Sequence, residues 1–427
     1  LGARCSTCSK CLFAQTKAFE QVLHLAPSQQ GYPHGTFIRG LACGSLNQVQ
    51  AKAGEGFEAL SRAVSAQPDW WFGHLGYDLK NEREQLRSQN PRQQAFPDLA
   101  FFRPAHWLYV EKEQLVVESV ENPSLLLDAI LSTPLPSAPT ALPPLEPHIT
   151  KEAYLATVER LRQHIEEGDV YEINFCQEFS ASVAGLDMPS LFLSLQKHSP
   201  TPFSAYYRWQ DQWMAGASPE RFLKRQGWQL ISQPIKGTAP RHTDPVLDEQ
   251  LKLGLLDSEK ERAENLMIVD LVRNDLARSC EAGSITVEEL FGLYSFPQVH
   301  QMISTVTGTL KAGVSGVEAI ARAFPMGSMT GAPKIKVMEL IEKYEQSRRG
   351  LFSGAVGYFT PSGDFDFNVV IRSLFYNSHT QRLSYQVGSA ITYDAIPEQE
   401  YQECMLKAEA MQRALGLSAQ NASPTVR

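Results

Sequence analysis

Three groups of side chains have the types and spacing to do chemistry. Lys236 lies in QPIKGTAPR (Gln233–Arg241), where Pro234 and a Gly237–Thr238 pair read as a strand running into a tight turn. An ammonium at the end of an apolar strand is either a solvated charge or an amine placed for reaction. The second group is a repeated E-x-x-E. Glu261 and Glu264 share one helix face behind a Ser258-x-x-Glu261 capping box, and Glu400, Glu403 and Lys407 share another behind Pro397. One such pair alone reads as a solvated acidic face. Two facing each other across a cleft would supply hard oxygen ligands for Mg²⁺ and leave coordination positions for a substrate oxygen. Lys407 and Arg372 would then hold the negative groups of that substrate. The third group is looser. Glu220, in Ser218-Pro219-Glu220, is a turn acid unless buried, when its raised pKa would suit a general acid. His300 and Gln301 offer polar side chains on a strand.

These residues need a scaffold. Thr150 can cap a helix through KEAYLATVERLRQHIEEG, with Tyr154, Val158, Leu161 and Ile165 as its apolar face and Gly168 as its end. Further helices are expected over residues 257–276, 317–323, 332–345 and 397–415. Strands are expected at DVYEINFCQEFSASV, SAYYRW, QWMAGAS, GWQLISQPI, FSGAVGYFT, DFNVVIRSLFYN and RLSYQVGSAIT. Many antiparallel-looking strands with interspersed helices imply a layered α+β fold, not a regular βαβ array. Residues 123–147 hold seven of the 26 prolines and read as an extended linker. It would divide an N-terminal region (1–122) from a catalytic region (148–417), with a tail at 418–427. MGSMTGAPK lacks the G-x-x-x-x-G-K-[ST] spacing of a P-loop, although its backbone could still meet an anion.

Composition narrows the class. The chain has 427 residues, 43% hydrophobic and 20% charged, with a formal charge of −8. This is globular, and the acidic balance argues against a nucleic-acid partner. No apolar run reaches the ~18–20 residues of a membrane span, and no signal-peptide core opens the chain. The first residue is leucine, so the natural start is expected to be trimmed or altered. Seven cysteines suit a reduced cytoplasmic protein better than a disulfide framework. Cys5, Cys8 and Cys11 form a C-x-x-C-x-x-C run, one ligand short of a structural metal site.

The segments SPERFL, PIKGT-x-PR, AENLMIVDLVRNDLAR, GSMTGAPK, RRGLFSGAVGYF, IRS and GSAI with E-x-x-E-x-x-x-K occur in the order of the chorismate-utilising enzymes. The chain resembles that family over residues 150–415. It is most similar to the aminodeoxychorismate synthase component I (para-aminobenzoate synthase component I) branch, with anthranilate synthase component I as a neighbour. The resemblance implies a four-layer α/β/β/α fold with two orthogonally packed, largely antiparallel sheets, to which the N-terminal part contributes. It implies that Lys236, where ammonia- or water-using relatives carry an apolar residue, attacks chorismate covalently and expels the carbon-4 hydroxyl. Ammonia then adds at carbon 4 and the lysine departs. A nucleophilic amine must be neutral, so burial and nearby positive charge are expected to depress Lys236. By the same resemblance, Glu220 assists hydroxyl loss, Glu264 and Glu403 bind Mg²⁺, and Glu261 and Glu400 orient its waters. Lys407 and the backbone of Gly237 and Thr238 help hold the ring carboxylate, and Arg372 clamps the enolpyruvyl carboxylate. Ser328, Gly388 and Ala390 line the site. Two positions depart from the pattern: Gln301 stands where relatives often have histidine, with His300 one place earlier, and Phe352 lacks the hydroxyl of some relatives. Anthranilate, isochorismate or salicylate synthesis is the alternative activity, and a non-catalytic anion-binding regulator is a second.

A glutamine-hydrolysing centre needs a cysteine nucleophile at a sharp Gly-x-Cys-x-Gly turn with a histidine base. None of the seven cysteines has those flanks, Cys43 in GLACGS being the nearest, and the chain ends soon after its last helix pattern. The chain is therefore expected to accept free ammonia and to rely on a separate glutamine amidotransferase subunit.

Overall fold

The computed structural model of the chain describes residues 19–28, 31–84, 86–133 and 142–417. Its strands are β1 (Gln21–Leu25), β2 (Gly40–Ala51), β3 (Trp71–Leu75), β4 (Leu99–Glu111), β5 (Gln114–Ser119), β6 (Glu146–Pro147), β7 (Glu172–Ser182), β8 (Phe203–Trp209), β9 (Gln212–Ser218) and β10 (Arg221–Gln226). Then come β11 (Gln229–Gln233), β12 (Ile235–Pro240), β13 (Thr286–Ser295), β14 (Val299–Thr309), β15 (Gly331–Ala332), β16 (Ala355–Phe359), β17 (Phe365–Asn368), β18 (Ser373–Asn377) and β19 (Arg382–Ile391). The helices are α1 (Gly56–Ala66), α2 (Lys80–Arg83), α3 (Pro123–Ser132), α4 (Lys151–Glu166), α5 (Met188–His198), α6 (Pro245–Asp257), α7 (Glu259–Ala277), α8 (Gly316–Ala323), α9 (Lys334–Tyr344) and α10 (Pro397–Ala414).

The strands form one hydrogen-bonded ribbon that divides into two halves. The first runs β14–β11–β10–β17–β16–β3–β4, with β12 and β13 also on β14. The second runs β2–β1–β8–β9–β18–β19–β7. The long strands β2 and β4 join them, and a register shift between Ser45 and Asn47 marks the corner.

Period-two alternation explains the layers. On β8, Ala205, Tyr207 and Trp209 enter the core shared with the first half, whereas Tyr206 faces the core under the helices. On β18, Phe375 points one way and Leu374 and Tyr376 the other. Helices α1, α7 and α8 add Phe57, Ile268 and Ile320 to the first core. Helices α4, α5 and α10 add Val158, Leu191 and Cys404 to the second. The order is helix, sheet, sheet, helix, as expected.

The linker reading needs correction. Pro123 opens α3 behind Asn122, whose Oδ1 accepts a hydrogen bond from the Ser124 amide (3.0 Å), and Ile130 on that helix is buried. Glu146–Pro147 is a strand paired with β7. Nor do the flanking regions separate, because β1 pairs with β8 and β3 with β16. The Cys5, Cys8 and Cys11 run and the 418–427 tail lie outside the described residues.

Candidate active site

The site is built around an irregularity in β12. Ile235 pairs with Ile303 and Thr238 with Gln301, so three steps along β12 match two along β14. The surplus residue makes this a β-bulge instead of the expected turn, and it re-aims Lys236. Gly237 adopts φ +94°, and a Cβ there would stand 3.1 Å from Oε2 of Glu261 and 3.3 Å from Met302. Glycine thus both permits the bulge and lets α7 approach. Asn265 on α7 secures that approach: its amide donates to the Lys236 carbonyl (3.4 Å), and its Oδ1 accepts from Ser304 (2.6 Å).

The bulge opens into a cavity of about 740 Å³ between β12, β14, β19, α7 and α10. Fourteen of the sixteen expected site residues line it: Glu220, Lys236, Gly237, Thr238, Glu261, Glu264, Gln301, Ser328, Phe352, Arg372, Gly388, Ala390, Glu403 and Lys407. The other two do not. His300 alternates with Gln301 on β14 and is buried on the far side, Nε2 3.0 Å from Asp248 and Nδ1 2.9 Å from Ser295. Gln301 is the one that faces the cavity, and its Oε1 is buried without a hydrogen-bond partner. Glu400 stands behind the wall, buried, with Oε1 3.6 Å from Lys260 and Oε2 unpartnered.

Electrostatically the cavity is dominated by carboxylates. Burial pushes Glu264 up to about 7 against the opposing charge of Lys236. Burial also raises Glu261 and Glu400, with Glu403 adding to both shifts. Glu403 is lowered overall, because Lys407, 2.7 Å away, outweighs its burial. Glu264 and Glu400 are buried, one oxygen of Glu400 is unpartnered, and with the more exposed Glu261 and Glu403 they make a set of carboxylate donors whose chemistry fits a hard divalent cation. Their atoms do not yet converge. Among the described residues, the one trio of such donors within 4.8 Å of each other is His164, Glu167 and Asp169, outside the cavity.

Lys236 contradicts the expectation of a depressed amine. Its Nζ donates to Oε1 of Glu172 at 2.5 Å and lies 3.9 Å from Oε2 of Glu264. Burial alone would lower it, but the charges of Glu172 and Glu264 outweigh that and hold the ammonium above the usual lysine range. The neighbours are acids, not cations. Burial also lifts Glu220 to about 7, despite Lys236 and Arg372 nearby. Arg372 enters the cavity from a backbone at φ +50°, which interrupts the strand expected through DFNVVIRSLFYN between β17 and β18. Its guanidinium makes no hydrogen bond to the described protein groups, so its donors are available to an anion.

The family of chorismate binding enzymes matches residues 20–413. The chain belongs to that family. It is 37% identical over 370 residues to an aminodeoxychorismate synthase of Streptomyces pristinaespiralis, covering 81% of this chain and 50% of that one. The chain thus spans about half the length of that relative. It is 35% identical over 336 residues to aminodeoxychorismate synthase component 1 of Klebsiella aerogenes, covering 78% of this chain and 74% of that one. Among solved structures, anthranilate synthase component I from Streptococcus pneumoniae aligns at TM-score 0.77 and 27% identity, over 90% of this chain and 94% of that one.

In this chorismate binding enzyme, three structural features were missed from the sequence. Glu172 had a signal: an acid within EINFCQ, a strand buried on both faces, demands a cation. Lys260 had none, because a lysine beside glutamates in SEKERAE reads as a surface pair. Arg349 in RRGLFSG is buried and donates to Glu345, Ser353 and the carbonyls of Met329 and Asn174. It ties together the segments that carry Ser328 and Phe352.

Proposed function

We propose that this chain converts chorismate and ammonia to 4-amino-4-deoxychorismate, as an aminodeoxychorismate synthase component I. Ammonia comes from a separate glutamine amidotransferase, and the product leads to para-aminobenzoate and folate. The observation that carries this reading is Lys236: the cavity of a chorismate binding enzyme contains a primary amine, flanked by a buried acid that titrates near 7. By the family resemblance, relatives that use ammonia or water directly carry an apolar residue at this position. Four buried free cysteines, Cys43, Cys176, Cys280 and Cys404, suit the cytoplasm.

Chorismate is a dianion, and Arg372 would bind its enolpyruvyl carboxylate with otherwise unused donors. Glu264 and Glu403 would hold Mg²⁺, with Glu261 and Glu400 orienting its waters, and the bound ion supplies positive charge for the ring carboxylate. Lys407, whose Nζ donates to the Gly388 carbonyl at 3.1 Å, stands on the same wall. Lys236 first gives a proton to Glu172. Its neutral amine then forms a bond to the ring as the carbon-4 oxygen leaves, and Glu220 protonates that oxygen so that water departs. Ammonia adds at carbon 4, the bond to Lys236 breaks, and the proton lost from ammonia restores the acid. The net exchange is ammonia for water.

The test is incubation of the purified chain with chorismate and Mg²⁺, with either ammonium or glutamine as nitrogen donor. 4-Amino-4-deoxychorismate is expected from ammonium alone, and mass spectrometry should trap an adduct on Lys236. Lys236→Ala should lose the adduct and at least ~100-fold in rate, the scale of about 2.8 kcal/mol of barrier. Anthranilate as product, turnover with glutamine alone, or full activity in Lys236→Ala would overturn the proposal.

A further inference from the structure

Lys260 and Arg413 are the cavity-lining cations that the proposed reaction leaves idle, and Arg413 is paired with Glu409 on its own helix. Lys260 sits on the first turn of α7, between the two acidic helices, with Nζ 3.9 Å from Oε1 of Glu264 and 3.6 Å from Oε1 of Glu400. It therefore links α7 to α10 through charge alone, one glutamate on each helix. Its surroundings differ from those of Lys236 and Lys407. Lys236 is held at 2.5 Å by Glu172, and Lys407 at 2.7 Å by Glu403, a residue on its own helix. Neither contact of Lys260 is that close, and 48% of its side chain is exposed. A four-carbon stem in water can swing away with little loss. The carboxylate it leaves could not follow: the Glu400 side chain is only 3% exposed, and its second oxygen has no partner. Lys260 is the foremost positive charge facing Glu400, ahead of a Ser389 hydrogen bond and Lys407, and a buried carboxylate that loses its main counter-charge is destabilised, so departure of Lys260 is favoured when another cation arrives.

We infer that Lys260 is a built-in counter-cation, holding the Glu264–Glu400 gap in the metal-free protein and being displaced when a divalent cation is taken up there. The inference rests on the reading of these glutamates as a metal site. It makes cation uptake an exchange, in which the ion competes with an ammonium tethered to the site. Affinity for the ion is thereby lowered, and α7 and α10 stay joined while the site is empty.

The experiment uses the whole chain, stripped with chelator and without chorismate, titrated with Mg²⁺ by calorimetry and by thermal unfolding. Lys260→Gln removes the competitor and should bind Mg²⁺ about five- to tenfold tighter, the effect of deleting one like charge at close range in a partly screened site. Its metal-free form should melt lower than the parent, and its Mg²⁺-saturated form at the same temperature. Lys260→Arg should keep the parent affinity within about twofold, because the charge stays. Equal or weaker Mg²⁺ binding by Lys260→Gln, with the parent still binding, overturns the exchange and leaves the metal site standing. No Mg²⁺ binding by the parent overturns the metal reading, and this inference with it.

Discussion

Glu220→Gln separates the chemistry of the site from its cost to the fold. Burial lifts the Glu220 carboxyl from an ordinary 4.5 to about 7. Between those values the folded protein keeps a proton that the unfolded chain has released, so raising the pH favours unfolding. The penalty is absent below 4.5, builds through the window, and is complete once the pH passes 7. Moving the midpoint that far is worth about 3.4 kcal/mol at full ionisation, of which roughly 0.8 has developed by pH 5 and roughly 3 by pH 7. Glutamine has nearly the same shape and cannot ionise. Glu220→Gln should therefore be about as stable as the parent near pH 4.5 and more stable by about 2–3 kcal/mol at pH 8. Its turnover should fall by ~10²-fold or more, because no proton reaches the departing hydroxyl. Urea unfolding of metal-free protein at several pH values, parent against variant, reads the stability difference directly, since the other titrating groups are common to both. A stability difference that does not change between pH 5 and 8, or a variant less stable throughout, would refute the argument that Glu220 is a carboxyl held neutral by burial.

Two further outcomes follow from the same charges. Glu403→Gln should weaken Mg²⁺ binding and chorismate binding together, each by about tenfold or more, because in the proposed reaction the ion would join enzyme to substrate; unchanged Mg²⁺ titration would remove Glu403 from the proposed metal site. Glu172→Gln takes the nearest carboxylate from Lys236, so the ammonium should titrate lower. The rise of the adduct-forming rate with pH should then move to lower pH while the maximal rate drops for want of a proton acceptor. A pH profile identical to that of the parent would show that Glu172 neither holds nor deprotonates Lys236.

Local signals made the helices legible. Thr150 and Ser258 cap α4 and α7 as expected, accepting from the amides of Ala153 and Glu261, and Pro397 opens α10. Each glutamate pair lies on the expected helix because helical spacing is set by geometry within a few residues, but Glu400 turns behind the cavity wall. What escaped depends on contacts between distant segments. The proline content of residues 123–147 outweighed the single N-cap that starts a helix at Pro123. DFNVVIRSLFYN reads as one strand because nothing in its composition announces a left-handed arginine. That conformation is held by the surroundings, including a hydrogen bond from the Ala217 amide to the Arg372 carbonyl (3.1 Å). The choice between His300 and Gln301 was likewise a matter of phase on β14. Only the bulge opposite, which aligns Gln301 with Thr238, decides which of two adjacent side chains enters the cavity.

The same distinction explains why Lys236 was located correctly and its charge was not. Its position follows from nine consecutive residues, whereas its charge follows from Glu172 and Glu264, 64 and 28 positions away in opposite directions along the chain. With Glu172 at 2.5 Å, the resting amine is an ammonium in an ion pair, so a reaction through it cannot rely on a permanently neutral nucleophile. In the proposed reaction the neutral amine must be made on demand. A dianionic substrate brings further negative charge into the cavity, which strengthens the hold on the proton unless that charge is met elsewhere. Arg372 and a cation among the four glutamates are the groups available to meet it. If Glu264 held such a cation, its carboxylate would turn from Lys236, and Glu172 would be left as the close partner and proton acceptor. The acidic helices would then have two linked tasks: to hold the ion that meets the charge of the substrate and, by holding it, to free the lysine.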